Sequence, residues 1–166
     1  MAAFTVTNLT PGEIRSVYPL IREAIPNLDL SSWLKFARQH VGGKRSLHTG
    51  IMVARRTGRA FPCGLFCYRV DQDLERGRVL IAEHFVAVDL LEPSAVLNAL
   101  VAELDELGER LGCAAVRSIV HGGEGSVVGG LFAAGHAPEG SLLGKSLTQT
   151  GFAPMGRPKL DASATG

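Results

Sequence analysis

The chain has 166 residues, 46% of them hydrophobic and 20% charged, and 17 Lys and Arg against 16 Asp and Glu leave a net charge of +1. A chain of this length buries roughly 70% of its unfolded surface around one core without disulfides or structural metal, which excludes two large domains. The near-zero charge and ordinary apolar content exclude disorder and the broad basic surface of a non-specific nucleic-acid binder.

Cys63, Cys67 and Cys113 form neither a C-x-x-C pair nor a Cys/His zinc spacing, so they read as reduced thiols in a cytoplasmic protein that holds no metal. The N-terminus lacks a signal-peptide pattern, and no run approaches the ~18 apolar residues of a membrane span. Glycine is in excess, with 20 residues against the roughly 12 of average usage.

The alternating Phe4-Thr-Val-Thr-Asn-Leu9 predicts a strand. Thr10-Pro-Gly-Glu13 joins an N-cap, a proline at the first helical position and a glutamate three residues on. Ile14, Val17, Tyr18, Ile21 and Ile25 follow at three- and four-residue steps, predicting one helix up to Pro26. A second helix starts at Asp29 or Ser31, carries Trp33, Leu34, Ala37 and Val41, and ends at Gly42-Gly43. Ile51 to Ala54, Cys63 to Val70 and Val79 to Val88 read as three strands of an antiparallel meander. The last of these, VLIAEHFVAV, is nearly continuous in apolar residues, as a central strand covered on both faces would be, and is interrupted by Glu83-His84.

Val96, Leu97, Leu100, Val101, Leu104, Leu107 and Leu111 mark a long amphipathic helix opened near Pro93 and closed at Gly112. Ala114 to Val120 is then a strand reached by a right-handed parallel crossover. A glycine-rich HGGEGS, a short helix at about 127–134, a break at Gly135-His136 and a last strand from Leu142 to Thr148 follow. The tail from Arg157 has little to bury, and AGHAPEG at 134–140 with TGFAPMG at 150–156 reads as a repeated turn.

Two glycine runs imitate nucleotide motifs without meeting them. GSLLGKS at 140–146 has Glu139 where a phosphate-binding loop needs its first glycine. HGGEGSVVGG has Val128 at the third glycine of a dinucleotide fingerprint, although the run can still present backbone donors beside a helix N-terminus, with Ser126 as its N-cap. Lys44, Arg45, Arg55, Arg56 and Arg59 flank a hairpin without interleaved aromatics and read as a solvated face. Histidines 40, 48, 84, 121 and 136 contain no H-x-x-x-H pair.

Glu83 and His84 are the chemically informative pair, since a carboxylate or imidazole inside an apolar strand has a shifted pKa, which is how general bases arise. Adjacent strand residues point to opposite faces, so at most one of them is expected to face a given cleft. Structural partnering is the alternative role for both.

The order β-α-α-β-β-β-α-β-α-β, with its longest strand feeding its longest helix, resembles the GNAT N-acetyltransferase superfamily over residues 4–148. The segment FVAVDLLEPSAVLNALVAELDELGERLGCAAVRSIV at 85–120 has the cadence of the acetyl-CoA-binding segment, and LFAAGHAPEGSLLGKSL at 131–147 is similar to the closing helix-Gly-aromatic-strand segment. The resemblance implies an α/β fold with a mixed, mostly antiparallel sheet of six to seven strands and helices on both faces. Its single domain would span 1–148, and 149–166 would be an extension, poorly ordered or packed on the domain or a partner.

It further implies that the strand ending at Val88 splays from its parallel neighbour, and that the pantetheine arm of acetyl-CoA, or another acyl-CoA, lies along Val86, Ala87 and Val88. The pyrophosphate would sit at Ser94, Ala95 and Val96 on the N-terminus of the long helix, with Ser126 completing the cofactor-binding set. The chain departs from the family's Q/R-x-x-G-x-G/A loop: neither 91–96 nor 93–98 holds the glycines or the leading basic residue. Pro93 removes a donor, Glu92 adds negative charge, Val96 restricts close approach, and Phe132 stands where many members carry a general-acid tyrosine.

The implied activity is acyl-CoA-dependent N-acyl transfer, in the first instance acetyl transfer. Glu83 or His84 would take the proton of a primary amine on a small molecule or peptide. Trp33 and Tyr68 would wall the acceptor site. The alternative is a GNAT fold that has lost transfer and serves as a ligand-binding or interaction module, as a homodimer. Neither reading calls for nucleic acid, membrane or metal.

Overall fold

The computed structural model describes residues 3–43, 48–89, 91–121 and 125–147. The chain divides into two compact units, 1–136 and 137–166. The described part of the second, 137–147, has no helix or strand and exposes Leu142, Leu143 and Leu147. The strand expected from Leu142 is therefore absent over 142–147, and Thr148 lies outside the described residues, as does the tail from Arg157.

The first unit orders its elements as β1 (Phe4–Asn8), α1 (Tyr18–Ala24), α2 (Leu30–His40), β2 (Thr49–Arg56), β3 (Pro62–Asp73), β4 (Gly77–Ala87), α3 (Pro93–Arg110), β5 (Ala115–Ile119) and α4 (Gly125–Ala133). Among the described residues the sheet has five strands in sequence order, rather than six to seven. Every neighbouring pair is antiparallel except β4 and β5, which are parallel and joined through α3.

The single helix expected after Thr10 is divided into a 3-10 turn at Pro11–Glu13 and the separate α1. Thr10 donates its backbone N–H and its hydroxyl to Glu13 Oε2, at 3.1 and 2.6 Å, so the start signal works as read. Pro19 explains the interruption: it lacks an N–H and would clash with the carbonyl four residues back, so it fits only the first turn of a new helix. α2 is capped by Asp29, whose carboxylate accepts from the Ser32 N–H at 2.9 Å.

Strand alternation sends Met52, Ala54, Phe66, Tyr68, Leu80 and Ala82 to the face packed on α3 and α4, and Ile51, Val53, Leu65 and Cys67 to the face packed on α1 and α2. Four consecutive residues of β2, 51–54, are buried because both faces are covered. Cys67 is one of these core residues, and burial pushes its thiol up, leaving it protonated and inert. No helix among the described residues is long and apolar enough to cross a membrane.

Glycine is required where Gly50 lies against the Tyr68 ring, since a Cβ there would come within 2.6 Å of it. Gly50→Ala is expected to cost about 1–3 kcal/mol by forcing the buried ring aside, read as a lower urea midpoint at unchanged slope.

Candidate active site

The site begins with one extra residue in β4. Leu65 pairs with Val86 and Cys67 with Glu83, so Phe66 alone opposes both His84 and Phe85, a β-bulge. His84 takes φ = 58°, the left-handed region that favours glycine. The insertion breaks strict alternation: Leu80, Ala82 and Phe85 all reach the α3 face, while Val86 returns to the α2 face. The expectation that Glu83 and His84 face opposite sides is thereby overturned. Glu83 lies across from Cys67 on the α2 side, and the His84 ring meets the Phe36 ring of α2 edge-on at 5.9 Å.

A ladder of rings runs past His84. His40 stacks on Phe36 at 4.1 Å, and His84 stacks on His121 at 5.7 Å. His40 Nδ1 donates to the Phe36 carbonyl at 2.9 Å, which fixes that ring. Beside the ladder, Arg69 and Glu83 form an ion pair at 2.8 Å. Burial lowers the His84 pKa below its ordinary value of 6.5, the Glu83 charge opposes this, and His121, His40 and Arg69 lower it further. His84 is therefore a neutral imidazole at neutral pH, with a lone pair able to accept a proton.

The bulge also marks where β4 loses its parallel partner. Pairing with β5 runs from Val79–Ala115 to Glu83–Ile119 and stops, whereas β4 continues along β3 through Val86–Leu65 and Ala87–Gly64. The Val88 N–H donates to the Cys63 carbonyl at 2.7 Å, so its polar groups point toward β3. By alternation, those of Ala87 point the other way, toward the β5 side of the strand. Past Glu83 this edge of β4 has no strand partner among the described residues.

At the N-terminus of α3, Asp89 Oδ1 accepts from the N–H groups of Leu91 and Glu92, both at 2.9 Å. Arg56 ties this corner together, at 3.0 Å from the Asp89 carboxylate and 3.1 Å from that of Glu92, with its guanidinium over the Phe4 ring. The two backbone donors, then Arg56, hold the Asp89 carboxyl below the usual carboxylate range. The N–H groups of Ala95 and Val96 donate to the Glu92 carbonyl at 3.1 and 3.3 Å, and Pro93 has none.

No protein-family model and no curated protein matches the sequence. Solved structures do. The aminoglycoside N-acetyltransferase AAC(6')-Iy in complex with CoA has a TM-score of 0.72 at 13% identity over 87% of this chain and 95% of that one. The chain has the GNAT acetyltransferase fold. Two further GNAT-fold neighbours agree. Glucosamine-6-phosphate N-acetyltransferase from Arabidopsis thaliana has a TM-score of 0.66 at 12% identity, over 87% of this chain and 99% of that one. Ribosomal-protein-alanine N-acetyltransferase from Brucella melitensis biovar Abortus 2308 has 0.69 at 12% identity, over the same two shares.

On this GNAT fold, Trp33 and Tyr68 do not come together. Trp33 is 1% exposed on the α2 side, its indole N–H donating to the Ile14 carbonyl at 2.7 Å. Tyr68 belongs to the core on the α3 side, where its hydroxyl donates to Asn8 Oδ1 at 3.2 Å. Opposite faces of one sheet cannot wall one cleft; the rings that neighbour His84 from α2 are instead Phe36 and, stacked on it, His40, at i, i+4 spacing.

Ser126 is the second residue of α4 rather than its N-cap, and Gly122 to Glu124 lie outside the described residues. Arg55 and Arg56, read as part of a solvated face, are engaged with Glu13 and with Asp89 and Glu92, while Lys44 and Arg45 lie outside the described residues.

Proposed function

We propose that this chain is an acyl-CoA-dependent N-acyltransferase, in the first instance an acetyltransferase, acting on a primary amine of a small molecule or peptide. The observation that carries this reading is the bulge, which sets a neutral imidazole beside the point where β4 and β5 part company. The solved neighbours of the same fold support it, one of them in complex with CoA. Free thiols at Cys63, Cys67 and Cys113 fit a cytoplasmic setting.

The edge of β4 beyond its pairing with β5 would take an extended thioester arm. Val86, Ala87 and Val88 would hold it, with Ala87 offering a backbone N–H and C=O toward its amides and its carbonyl. In transfer, the amine nitrogen attacks the thioester carbonyl carbon. A C–N bond forms, the C–S bond breaks, and the thiolate departs to be protonated by water. His84 takes the proton that the amine nitrogen sheds. Glu83, held in place by Arg69, stabilises the imidazolium that results.

The test is release of free thiol from acetyl-CoA in the presence of a panel of primary amines. Glu83→Gln is expected to lower kcat at least tenfold without weakening donor binding. Removing this negative charge lowers the His84 pKa further, so the acid limb of kcat/KM moves to lower pH. An unchanged rate and an unshifted limb would remove Glu83 from its role. The second reading, a GNAT fold without transfer, draws on the acidic corner at the start of α3. It predicts no thermal shift with acetyl-CoA or S-acetylpantetheine at millimolar concentration, where a bound ligand must raise stability.

A further inference from the structure

We infer that the acyl donor is recognised as a pantetheine thioester, through its arm on the free edge of β4, and that a diphosphate contributes nothing to its affinity. This rests on the acyltransferase reading and names the class of donor. The corner of α3 that would face a diphosphate is for the most part already occupied by the chain itself. Of its backbone donors from 91 to 96, those of Leu91 and Glu92 are taken by the Asp89 carboxylate and those of Ala95 and Val96 by the Glu92 carbonyl, Pro93 has none, and that of Ser94 alone is left for a diphosphate oxygen.

Charge acts in the same direction. Asp89 and Glu92 together outweigh Arg56, whose two terminal nitrogens are both engaged with them. An arriving diphosphate would meet net negative charge and would have to displace an ionised carboxylate from its own donors. The helix cannot withdraw to make room, because Val96 is fully buried against Gly64, where even a methyl group would come within 2.7 Å of it. From His84 to Ala87 the edge of β4 meanwhile has no strand partner among the described residues. What the corner excludes is the doubly charged link, and what the edge accepts is the neutral, amide-bearing arm.

Calorimetric titration of the full chain with acetyl-CoA and with S-acetylpantetheine tests this. Dissociation constants within fivefold of each other are expected, and acetyl-CoA binding more than fivefold tighter would overturn the inference. If neither ligand binds, the acyltransferase reading itself falls.

Asp89→Asn combined with Glu92→Gln keeps the polar contacts and removes both charges. It is expected to tighten acetyl-CoA at least fivefold while leaving S-acetylpantetheine unchanged; no change for acetyl-CoA would overturn the charge argument. Should the double variant not fold, the comparison of the two ligands on the unaltered chain still decides. Transfer from an acetylated phosphopantetheinyl carrier protein separates the two sources of the arm. A kcat/KM at least tenfold above that of acetyl-CoA assigns the carrier-borne thioester, and anything lower assigns the CoA-borne one.

Discussion

Replacing His84 by alanine is expected to lower kcat for amine acetylation by about 10²–10³-fold while leaving donor affinity within about twofold, the usual scale for loss of a positioned general base. The neutral form of His84 is the one that accepts a proton. In the unaltered chain, kcat/KM should therefore rise with pH through a pKa below 6.5 and then level off, because burial has moved that pKa down. His84→Ala should flatten this limb. An unaltered profile in the variant would assign the limb, and the base, to another group.

The backbone provides a second and independent measurement at the same position. At φ = 58° any side chain with a Cβ is strained, by roughly 1–2 kcal/mol. His84→Gly and His84→Ala both remove the ring, so their stabilities differ by this strain less the roughly 0.4–1 kcal/mol that glycine loses through its freer unfolded chain. The glycine variant should be about 1 kcal/mol more stable than the alanine variant and equally inactive. A glycine variant less stable than the alanine one would show that β4 is regular at this point. A bulge that is easiest to build with glycine but carries histidine suggests that the imidazole is there for its chemistry.

Gly64→Val is expected to destabilise the protein by about 3 kcal/mol or more, beyond the usual range for one added methylene. The first added carbon already comes within 2.7 Å of Val96 Cγ1, 3.0 Å of Leu100 Cδ1 and 3.0 Å of the Val86 carbonyl oxygen. Two of these are buried side chains of α3 and the third is backbone of β4, so none can yield cheaply. Relief requires α3 to move off β3, which also displaces the end of β4 where Val86 and Ala87 would hold the donor. Gly64→Val should therefore weaken S-acetylpantetheine binding by at least tenfold at a temperature where the variant remains folded. Chemical denaturation with a loss under about 0.5 kcal/mol would show that the helix retreats freely.

These predictions rest on features that were unequally legible in the sequence. The stripe from Val96 to Leu107 predicts α3, and its residues do form the core of one sheet face. Thr10 with Glu13, and Asp29 ahead of α2, act as the start signals they resemble. The bulge was not legible. A one-residue insertion is recognised in sequence by a break in apolar alternation, but VLIAEHFVAV is apolar toward both faces and shows none. A glycine would have been the other signal, and His84 stands in its place. Reading Glu83 and His84 as facing apart followed directly from assuming a regular strand.

Tyr68 and Asp89 illustrate the same division. Tyr68 alternates with Cys67 in any regular strand, but which face of the sheet receives α3 and which receives α2 is settled by chain connectivity, so its partner could not be read locally. Asp89 ahead of Leu91-Glu92-Pro93 carries a recognisable turn pattern. Its pairing with Arg56, from a strand 33 residues earlier, does not.

What the sequence determined by itself was the order and type of the elements from β1 to α4, the division of the first helix apart, and the absence of the glycine loop before α3, because periodicity, capping and steric room are short-range properties of the chain. The tertiary structure alone decided the register between β3 and β4, and with it the faces taken by Glu83 and His84. It alone decided also that the corner lacking glycines is for the most part occupied by Asp89, Glu92 and Arg56. Both depend on contacts between residues distant in the chain, and a shift of one residue in a strand moves every side chain beyond it to the other face.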